Sequence, residues 1–372
     1  MRILYIAYPL LPISEESAGG AEQMLGVLER EMAHRGHRTA VAACAGSRVA
    51  GEVVSTGSAP VETDKFDERN SAHTSRILEF LARRQFNKNP FDLVHDMSGT
   101  FWPYSGALDL PVLATLHLPR SFYPPQMFQN VPTNLSFNCV SRAQSRSFGD
   151  LPRMMEVVPN GIEFENFNPL QGRETFDWRE SHANMKEDYV LWLGRICEEK
   201  GAHLAIQAAR RAGMRLVLAG TIYPFSYHQQ YFQREILPHL DIPQPDTQYS
   251  GISFVESPKQ KQKLRLLHNA RAVLIPSLAE ETSSLVAMEA AACGTPVVAF
   301  RRGGIPEVVV EGVTGFLVNS IEEMAATLGR IDEIDGAACR RHAQANYSSV
   351  AMADRYEQLY QHLISATSDR AA

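Results

Sequence analysis

The chain has 372 residues, of which 44% are hydrophobic and 21% charged, enough apolar content for the packed cores of about two domains. Its 36 Lys and Arg against 42 Asp and Glu leave a net charge of −6 without a long run of one sign. This disfavours binding to nucleic acid or an anionic membrane through bulk charge. Five dispersed cysteines without a Cys-x-x-Cys pair argue against a disulfide scaffold and a cysteine zinc site, and fit a cytoplasmic location.

The apolar N-terminal stretch contains two prolines and no small-residue cleavage site, so we interpret it as a strand and not as a signal peptide. No apolar run approaches the roughly 18–20 residues that a membrane span requires. We therefore expect a soluble, intracellular protein.

Short apolar runs alternate with helical patterns up to residue 166, the predicted end of a first domain. Because these runs are apolar throughout, we expect parallel strands covered on both faces. The predicted elements are strands at 2–8, 39–44, 91–96, 112–117, 137–141 and 156–160, a helix from about 21 to Gly36, and a helix near 71–84.

Residues 167–186 are polar and unpatterned and form the predicted linker to a second domain, residues 187–347. Two such series predict an α/β protein with two doubly wound Rossmann-like domains whose parallel sheets face an interdomain cleft. A last helix, about 348–372, is expected to pack back on the first domain. The other predicted elements are strands at 189–195, 215–220, 272–277, 296–300 and 315–318, and helices from about 200, at 256–269 and at 284–292.

The segment 221–250 is rich in aromatic residues and longer than an ordinary connection between strand and helix. It either lines a ligand cleft or is an inert packed excursion, and the sequence favours neither.

Arg195 closes one predicted strand, and Lys200 follows just before a helix that begins near Gly201. Ligands of open α/β sheets gather beyond the carboxyl ends of the strands. Two cations beside the positive end of a helix are suited to a diphosphate. An Arg and a Lys on an ordinary surface are an equally good interpretation of the spacing alone.

Glu281 follows the strand at 272–277, and Glu289 lies eight residues later on the next predicted helix. Ser283 or Ser284 is the expected N-cap, and the first-turn amides are suited to a phosphate oxygen. The two carboxylates are suited to vicinal sugar hydroxyls. Taken alone, the pair is better explained as an exposed helix face, but its position after a strand favours a site.

The basic residues of the helix at 256–269 are expected to be a solvated surface, because they alternate around the helix; they are Lys259, Lys261, Lys263 and Arg265. No Asp-x-Asp occurs in the chain, so we expect no metal-bound diphosphate and no metal site.

Several segments resemble, in order and spacing, the signatures of glycosyltransferase family 4. They include LGRICEEKG (193–201), EETSSLVAMEAAACGTPVVAFRRGGIPEVV (280–309) and EGVTGFLV (311–318). The stretch from LGRICEEKG onward is most similar to the branch that contains the avilamycin-pathway glycosyltransferase. This resemblance, which covers essentially the whole chain, implies the GT-B fold, with an acceptor-side first domain and a nucleotide-sugar donor domain second.

The resemblance also implies residue roles. Arg195 and Lys200 match the diphosphate pair, Glu281 the glutamate that contacts the donor sugar, Glu289 the one that holds the ribose, and His117 a strand-end histidine near the reacting sugar. The implied catalytic residues are His117, Glu281, Arg195 and Lys200. The implied donor-binding residues are Gly19, Gly20, Arg195, Lys200, Glu281, Thr282, Ser283, Ser284, Leu285 and Glu289.

One departure is Ser283-Ser284 where the family usually has Phe-Gly, which bears on donor-sugar preference. The implied activity is retaining transfer of a sugar from a nucleoside diphosphate sugar, UDP-sugar favoured over GDP-sugar, to a hydroxyl acceptor: a glycan, a lipid-linked acceptor or a natural product. No cofactor, metal, nucleic acid or integral membrane contact is expected; peripheral membrane association stays open.

The alternatives are a GT-B sugar-nucleotide epimerase, a phosphorylase-like enzyme and a non-catalytic nucleotide-sugar-binding protein. An NAD dehydrogenase is disfavoured, because the loop after the first strand lacks Gly-x-Gly-x-x-Gly.

Overall fold

The computed structural model describes residues 1–14, 17, 19–58, 66–87, 90–149, 151–167, 188–223, 225–241 and 251–371. The predicted linker, apart from Phe167, and residues 224 and 242–250 of the aromatic-rich segment lie outside the described residues. The chain forms two compact units, Met1–Ile162 with Ser349–Ala372, and Glu163–Ser348.

The first unit contains a six-stranded sheet in the order β3-β2-β1-β4-β5-β6. All of its neighbouring strands are parallel. Its strands are β1 (Arg2–Ile6), β2 (Arg38–Ala43), β3 (Glu52–Ser55), β4 (Leu93–Asp96), β5 (Val112–Leu116) and β6 (Leu135–Cys139), and its helices are α1 (Gly20–His34), α2 (Phe66–Phe86), α3 (Arg142–Ser147) and α11 (Ser349–Ala371).

The inner strands of this sheet are mostly apolar, as expected for parallel strands that are covered on both faces. Every residue of β4, β5 and β6 is buried. On one face, Trp102 and Phe137 pack edge to face in the centre of the apolar cluster. The last helix, α11, packs on α1, where Arg35 forms ion pairs of 2.8 Å with both Asp354 and Glu357.

The second unit contains another six-stranded parallel sheet, in the order β12-β11-β10-β7-β8-β9. Its core holds Trp192 and a row of alanines from the helix after β7. The strands are β7 (Tyr189–Leu193), β8 (Arg215–Gly220), β9 (Ile252–Glu256), β10 (Ala272–Ile275), β11 (Val297–Phe300) and β12 (Gly315–Val318), and the helices are α4 (Ala202–Ala212), α5 (Ser226–Tyr231), α6 (Gln260–Asn269), α7 (Leu285–Ala292), α8 (Ile305–Val308), α9 (Ile321–Thr327) and α10 (Gly336–Tyr347).

The predicted fold class, two doubly wound Rossmann-like sheets, is confirmed. Two local predictions are wrong. Residues 156–160 are not a strand: Met154 makes only an isolated bridge to Phe137, and Pro159 has no amide hydrogen with which to continue the ladder. The helix predicted from 256 begins at Gln260, because Glu256 ends β9. The prediction also missed two strands, β3 and β9.

Among the described residues, no helix combines the length and the apolar character needed to cross a bilayer.

Candidate active site

The predicted phosphate and sugar ligands follow two neighbouring strands of the second sheet. Strands β7 and β10 are adjacent, and the chain continues from them toward opposite edges, to β8 on one side and β11 on the other. This is the topological switch point of the sheet, where the carboxyl ends of the strands open a crevice for ligands. Arg195 and Lys200 follow β7, and Glu281 follows β10.

An ion pair joins these two strand ends. Lys200 Nζ lies 2.6 Å from Glu281 Oε1, and Ser277 Oγ donates to the same carboxylate oxygen at 2.6 Å. The lysine and glutamate side chains retain 28% and 12% of their exposure, so both still reach the solvent side of the crevice. The structure thus brings together two residues predicted to contact different parts of one ligand.

The Arg195 guanidinium lies over the Tyr223 ring, 5.8 Å from its centroid. It forms no ion pair within the described part of the chain, in contrast to Lys200. A partly buried cation held by an aromatic face keeps its hydrogen-bond donors available for an anion.

The loop after β7 is held tightly against the loop after β10. Gly201 has φ of +70°, and a Cβ on it would lie 2.1 Å from the Pro276 carbonyl oxygen. The amide of Leu278 donates to the Glu199 carbonyl at 2.8 Å, and Trp192 Nε1 donates to the Lys200 carbonyl at 3.1 Å. These contacts fix the backbone that carries Lys200.

Helix α7 begins beside Glu281, and Ser284 is its N-cap. Ser284 Oγ accepts from the Ala287 amide at 3.3 Å. Its φ of −128° is open to any residue, so the loss of the family's glycine imposes no backbone strain here. Ser283 Oγ is buried without a hydrogen-bond partner among the described residues. The first-turn amides lack intrahelical acceptors, which makes this helix end suited to an anion.

Glu289 is on α7 as predicted, and it pairs with a lysine that we expected on a solvated surface. Lys263 Nζ lies 2.8 Å from Glu289 Oε1, and the two side chains retain 18% and 7% of their exposure. The expectation was wrong for Lys263 because this residue shares a face of α6 with buried Leu267. The spacing of four residues between Lys263 and Leu267 is the sequence signal from which the partly buried position of this lysine could have been predicted.

The glycine turn at Gly303-Gly304, which follows β11, fixes the backbone of Glu281. The amide of Gly304 donates to the Glu281 carbonyl at 2.6 Å, and the amide of Gly303 donates to Glu280 Oε2 at 2.7 Å. Gly303 has φ of +53°, and a Cβ there would lie 2.3 Å from the Glu281 carbonyl oxygen. The glycine is therefore required for the close approach of the two loops.

Gly19, Gly20 and His117 belong to the first unit, whereas the other predicted site residues belong to the second. Gly19 is the N-cap of α1 and Gly20 its first residue. His117 directly follows β5, and burial lowers its pKa to about 4, so its imidazole is neutral at pH 7. His95 is fully buried and bonds Tyr360 and Thr115, which makes it a structural histidine.

One further group in the second unit has the spacing of metal ligands within the described part of the chain. It consists of Cys197, Glu199 and His228, none of which belongs to the predicted site.

The two parallel sheets and their strand orders are those of the GT-B class, and solved structures of this class match almost the whole chain. AviGT4, a glycosyltransferase involved in avilamycin A biosynthesis, is 23% identical with a TM-score of 0.67, covering 98% of both chains. HepE of Anabaena, solved in complex with UDP and glucose, is 16% identical with a TM-score of 0.68, covering 96% of this chain and 99% of its own. At these identities the likeness shows the fold.

Family models divide the chain as the two sheets do. Residues 18–166 match the model of Glycosyltransferase Family 4, and residues 174–346 match that of Glycosyl transferases group 1. The chain belongs to these glycosyltransferase families, which confirms the family predicted from its motifs.

A curated relative is the lipopolysaccharide 1,2-N-acetylglucosaminetransferase of Salmonella typhimurium. It is 32% identical over 170 residues, which are 44% of this chain and 42% of that protein. The match thus spans less than half the length of this relative.

Proposed function

We propose that this chain transfers a sugar, with retention of the anomeric configuration, from a nucleoside diphosphate sugar to a hydroxyl acceptor. The observation that carries the proposal is the arrangement at the switch point of the second sheet. There Lys200 follows β7, and Glu281 lies between the adjacent strand β10 and α7. The two side chains form an ion pair of 2.6 Å. In this proposal the second unit binds the donor and the first unit binds the acceptor.

The departing diphosphate is the charge that this arrangement is suited to stabilise. Negative charge builds on the leaving group in the transition state, and fixed cations and helix amides aimed at it lower the barrier. We assign this role to Arg195, Lys200 and the first turn of α7, which begins at Leu285, with Thr282 and Ser283 directly before it. The crevice then needs no divalent metal to hold the diphosphate. We favour UDP because HepE, which shares the fold, was solved with UDP.

The two glutamates have positioning roles in this proposal. Glu281 contacts donor-sugar hydroxyls, while Glu289, held deeper on α7, contacts the ribose. Misplacement of reacting groups by about 1 Å can cost about a hundredfold in rate, so carboxylates braced by lysines and glycine turns are suited to the task.

No enzymatic nucleophile is assigned. The acceptor hydroxyl attacks the anomeric carbon on the face from which the diphosphate leaves. The leaving phosphate helps to take the proton of that hydroxyl. We assign contacts with the reacting sugar to His117, whose imidazole is neutral at pH 7, and to the glycines at the start of α1. The protein's partners would be small molecules, and we propose a cytoplasmic location.

The test begins with a panel of UDP-sugars and GDP-sugars, screened by thermal shift, followed by NMR of the product formed with an accepted donor. We expect transfer with retained configuration, persisting in excess EDTA. Arg195→Ala and Lys200→Ala should weaken nucleoside diphosphate binding, whereas Lys261→Ala, an exposed lysine on α6, should not. An inverted product would refute the mechanism, and tight nucleotide binding without transfer to any acceptor would favour a non-catalytic binding protein.

A further inference from the structure

Three side chains of the second unit converge beside the candidate active site without belonging to it. Cys197 and Glu199 follow β7, and His228 lies on α5, which follows the neighbouring strand β8. The Cys197 thiol, a Glu199 carboxylate oxygen and a His228 ring nitrogen all lie within 4.8 Å of one another. Atoms bound to one tetrahedral ion lie roughly 3.5 Å apart, given zinc bonds of about 2.0–2.3 Å. Small side-chain rotations would close that difference.

His228 is the unusual member of this cluster. Its side chain is fully buried, and neither ring nitrogen has a hydrogen-bond partner among the described residues. Buried polar groups are nearly always satisfied, so each exception requires an explanation. A bound ion would provide the missing partner.

Aromatic rings hold the imidazole in place. The rings of Tyr227 and Phe225 meet it edge to face at centroid distances of 4.2 and 5.4 Å, and Tyr223 stacks on it at 5.8 Å. These contacts limit rotation of the ring while leaving its nitrogens without a donor or acceptor. An orientation fixed by apolar packing is typical of a preorganised ligand.

The protonation states are compatible with metal binding. Burial and the nearby Arg195 lower the pKa of His228, so the imidazole is neutral at pH 7, the form that binds metals. Burial raises the pKa of the Cys197 thiol to about 12. Without an ion, that thiol remains protonated and donates weakly to the Arg195 carbonyl at 3.5 Å. An ion would displace this proton to solvent, as coordinating thiols are deprotonated outright.

We propose that Cys197, Glu199 and His228 form a zinc site with a fourth position open to water. Thiolate, imidazole and carboxylate are all zinc ligands, and one thiolate with one carboxylate balances the charge of the ion. Loss of the thiol proton is the only change in covalent bonding. Because the sequence contains no Cys-x-x-Cys pair, we expected no such site.

The ion would fasten α5 to the loop that carries Arg195 and Lys200. The Glu199 carbonyl already binds the amide of Leu278 in the loop after β10. A bond from its side chain through zinc to His228 would extend that bracing to the aromatic-rich segment. The ion is thus a structural clamp that takes no step in sugar transfer, and its binding is measured without any transfer assay.

The experiment uses the full chain prepared without a polyhistidine tag and titrated with Co²⁺, a spectroscopic substitute for zinc. We expect one Co²⁺ per chain, with visible bands of tetrahedral cobalt and a thiolate charge-transfer band in the near ultraviolet, both removed by added Zn²⁺. Cys197→Ser should abolish the charge-transfer band. His228→Ala should weaken binding by at least about tenfold, since even outer-shell partners change metal affinity by about 10–100-fold.

Cys339→Ser is the matched control, because Cys339 is also a buried cysteine of the second unit and lies on α10. It should bind Co²⁺ as the wild type does. Circular dichroism of each variant checks that it is folded. Absence of stoichiometric binding to the wild type, or a charge-transfer band that survives in folded Cys197→Ser, would overturn the proposal. So would equal loss of the band in Cys339→Ser.

Discussion

Lysines from other elements hold both glutamates of the candidate site in the structure. Lys200 reaches Glu281 across 81 positions of sequence, and Lys263 reaches Glu289 across 26. The second pair is the more buried, with 7% exposure remaining at the Glu289 side chain. A carboxylate at that depth depends on its partner, because removing one member of a buried pair leaves the other unsatisfied.

The first prediction concerns Lys263, which acts through Glu289. Lys263→Met should weaken nucleoside diphosphate binding by about tenfold. The Glu289 carboxylate would lose its fixed position, and a buried group left unsatisfied costs about 1–3 kcal/mol. Isothermal calorimetry measures the affinity. In a double-mutant cycle with Glu289→Gln, the two losses should not add, since both remove one interaction.

Lys261→Met is the control for this cycle, because Lys261 is exposed on the same helix. The affinity of this variant for nucleoside diphosphate should match that of the wild type. Additive losses for Lys263 and Glu289 would contradict the positioning role of the lysine.

At the scale of elements, the site depends on two loops packed closely enough to exclude a side chain at one position. Gly201, the residue before α4, has φ of +70° and faces the Pro276 carbonyl, 2.1 Å from where a Cβ would lie. Gly213, the residue after the same helix, has a similar φ of +65°, and apart from its chain neighbours no atom of the described residues lies within 4 Å of its Cβ position. A substitution at Gly213 therefore tests backbone strain alone, whereas one at Gly201 tests backbone strain together with steric contact.

The second prediction follows from that contrast. Gly213→Ala should lower the free energy of unfolding by about 1 kcal/mol, the cost of a left-handed conformation with a Cβ. Gly201→Ala should lower it further, because the methyl group forces apart the loops after β7 and β10. Urea unfolding followed by circular dichroism measures both values. Equal destabilisation would show that the contact with Pro276 relaxes freely.

At the scale of the whole molecule, buried histidines link stability to pH. Burial lowers the pKa of His73 and of His117 to about 4, and that of His95 well below 6.5. Each is neutral in the folded chain and titrates near 6.5 once unfolded. Between these values the unfolded chain binds more protons, so the stability that these groups contribute is complete above pH 6.5 and is lost as the pH falls toward 4.

The third prediction tests that linkage at a residue outside the candidate site. His73→Gln should reduce the slope of the free energy of unfolding against pH between about 6.5 and 4. The slope above pH 7 should stay unchanged. Urea unfolding at a series of pH values measures it, and His34→Gln, at an exposed position of α1, is the control. An unchanged slope in His73→Gln would show that this histidine is not buried neutral.

The class of fold and the position of the candidate site could be predicted from sequence because both depend on local patterns. Apolar runs predict inner strands such as β4 and β5, whose residues are all buried. Arg195, Lys200 and Glu281 stand in the loops that follow such runs, so their location at one edge of the sheet followed from parallel topology alone. Strands β3 and β9 escaped prediction because they are sheet edges with partly exposed residues and lack a continuous apolar run.

The partners of the site residues could not be predicted, because strand order and helix packing bring them together over long distances in sequence. Lys263 faces Glu289 only after α6 and α7 pack side by side, and His228 meets Cys197 only because β8 adjoins β7. The sequence by itself thus determined the fold class, the family and the position of the cations after the strands. Tertiary packing decided which charges are paired, which histidines are neutral, and which three side chains converge, since burial and proximity arise only when separate elements share one core.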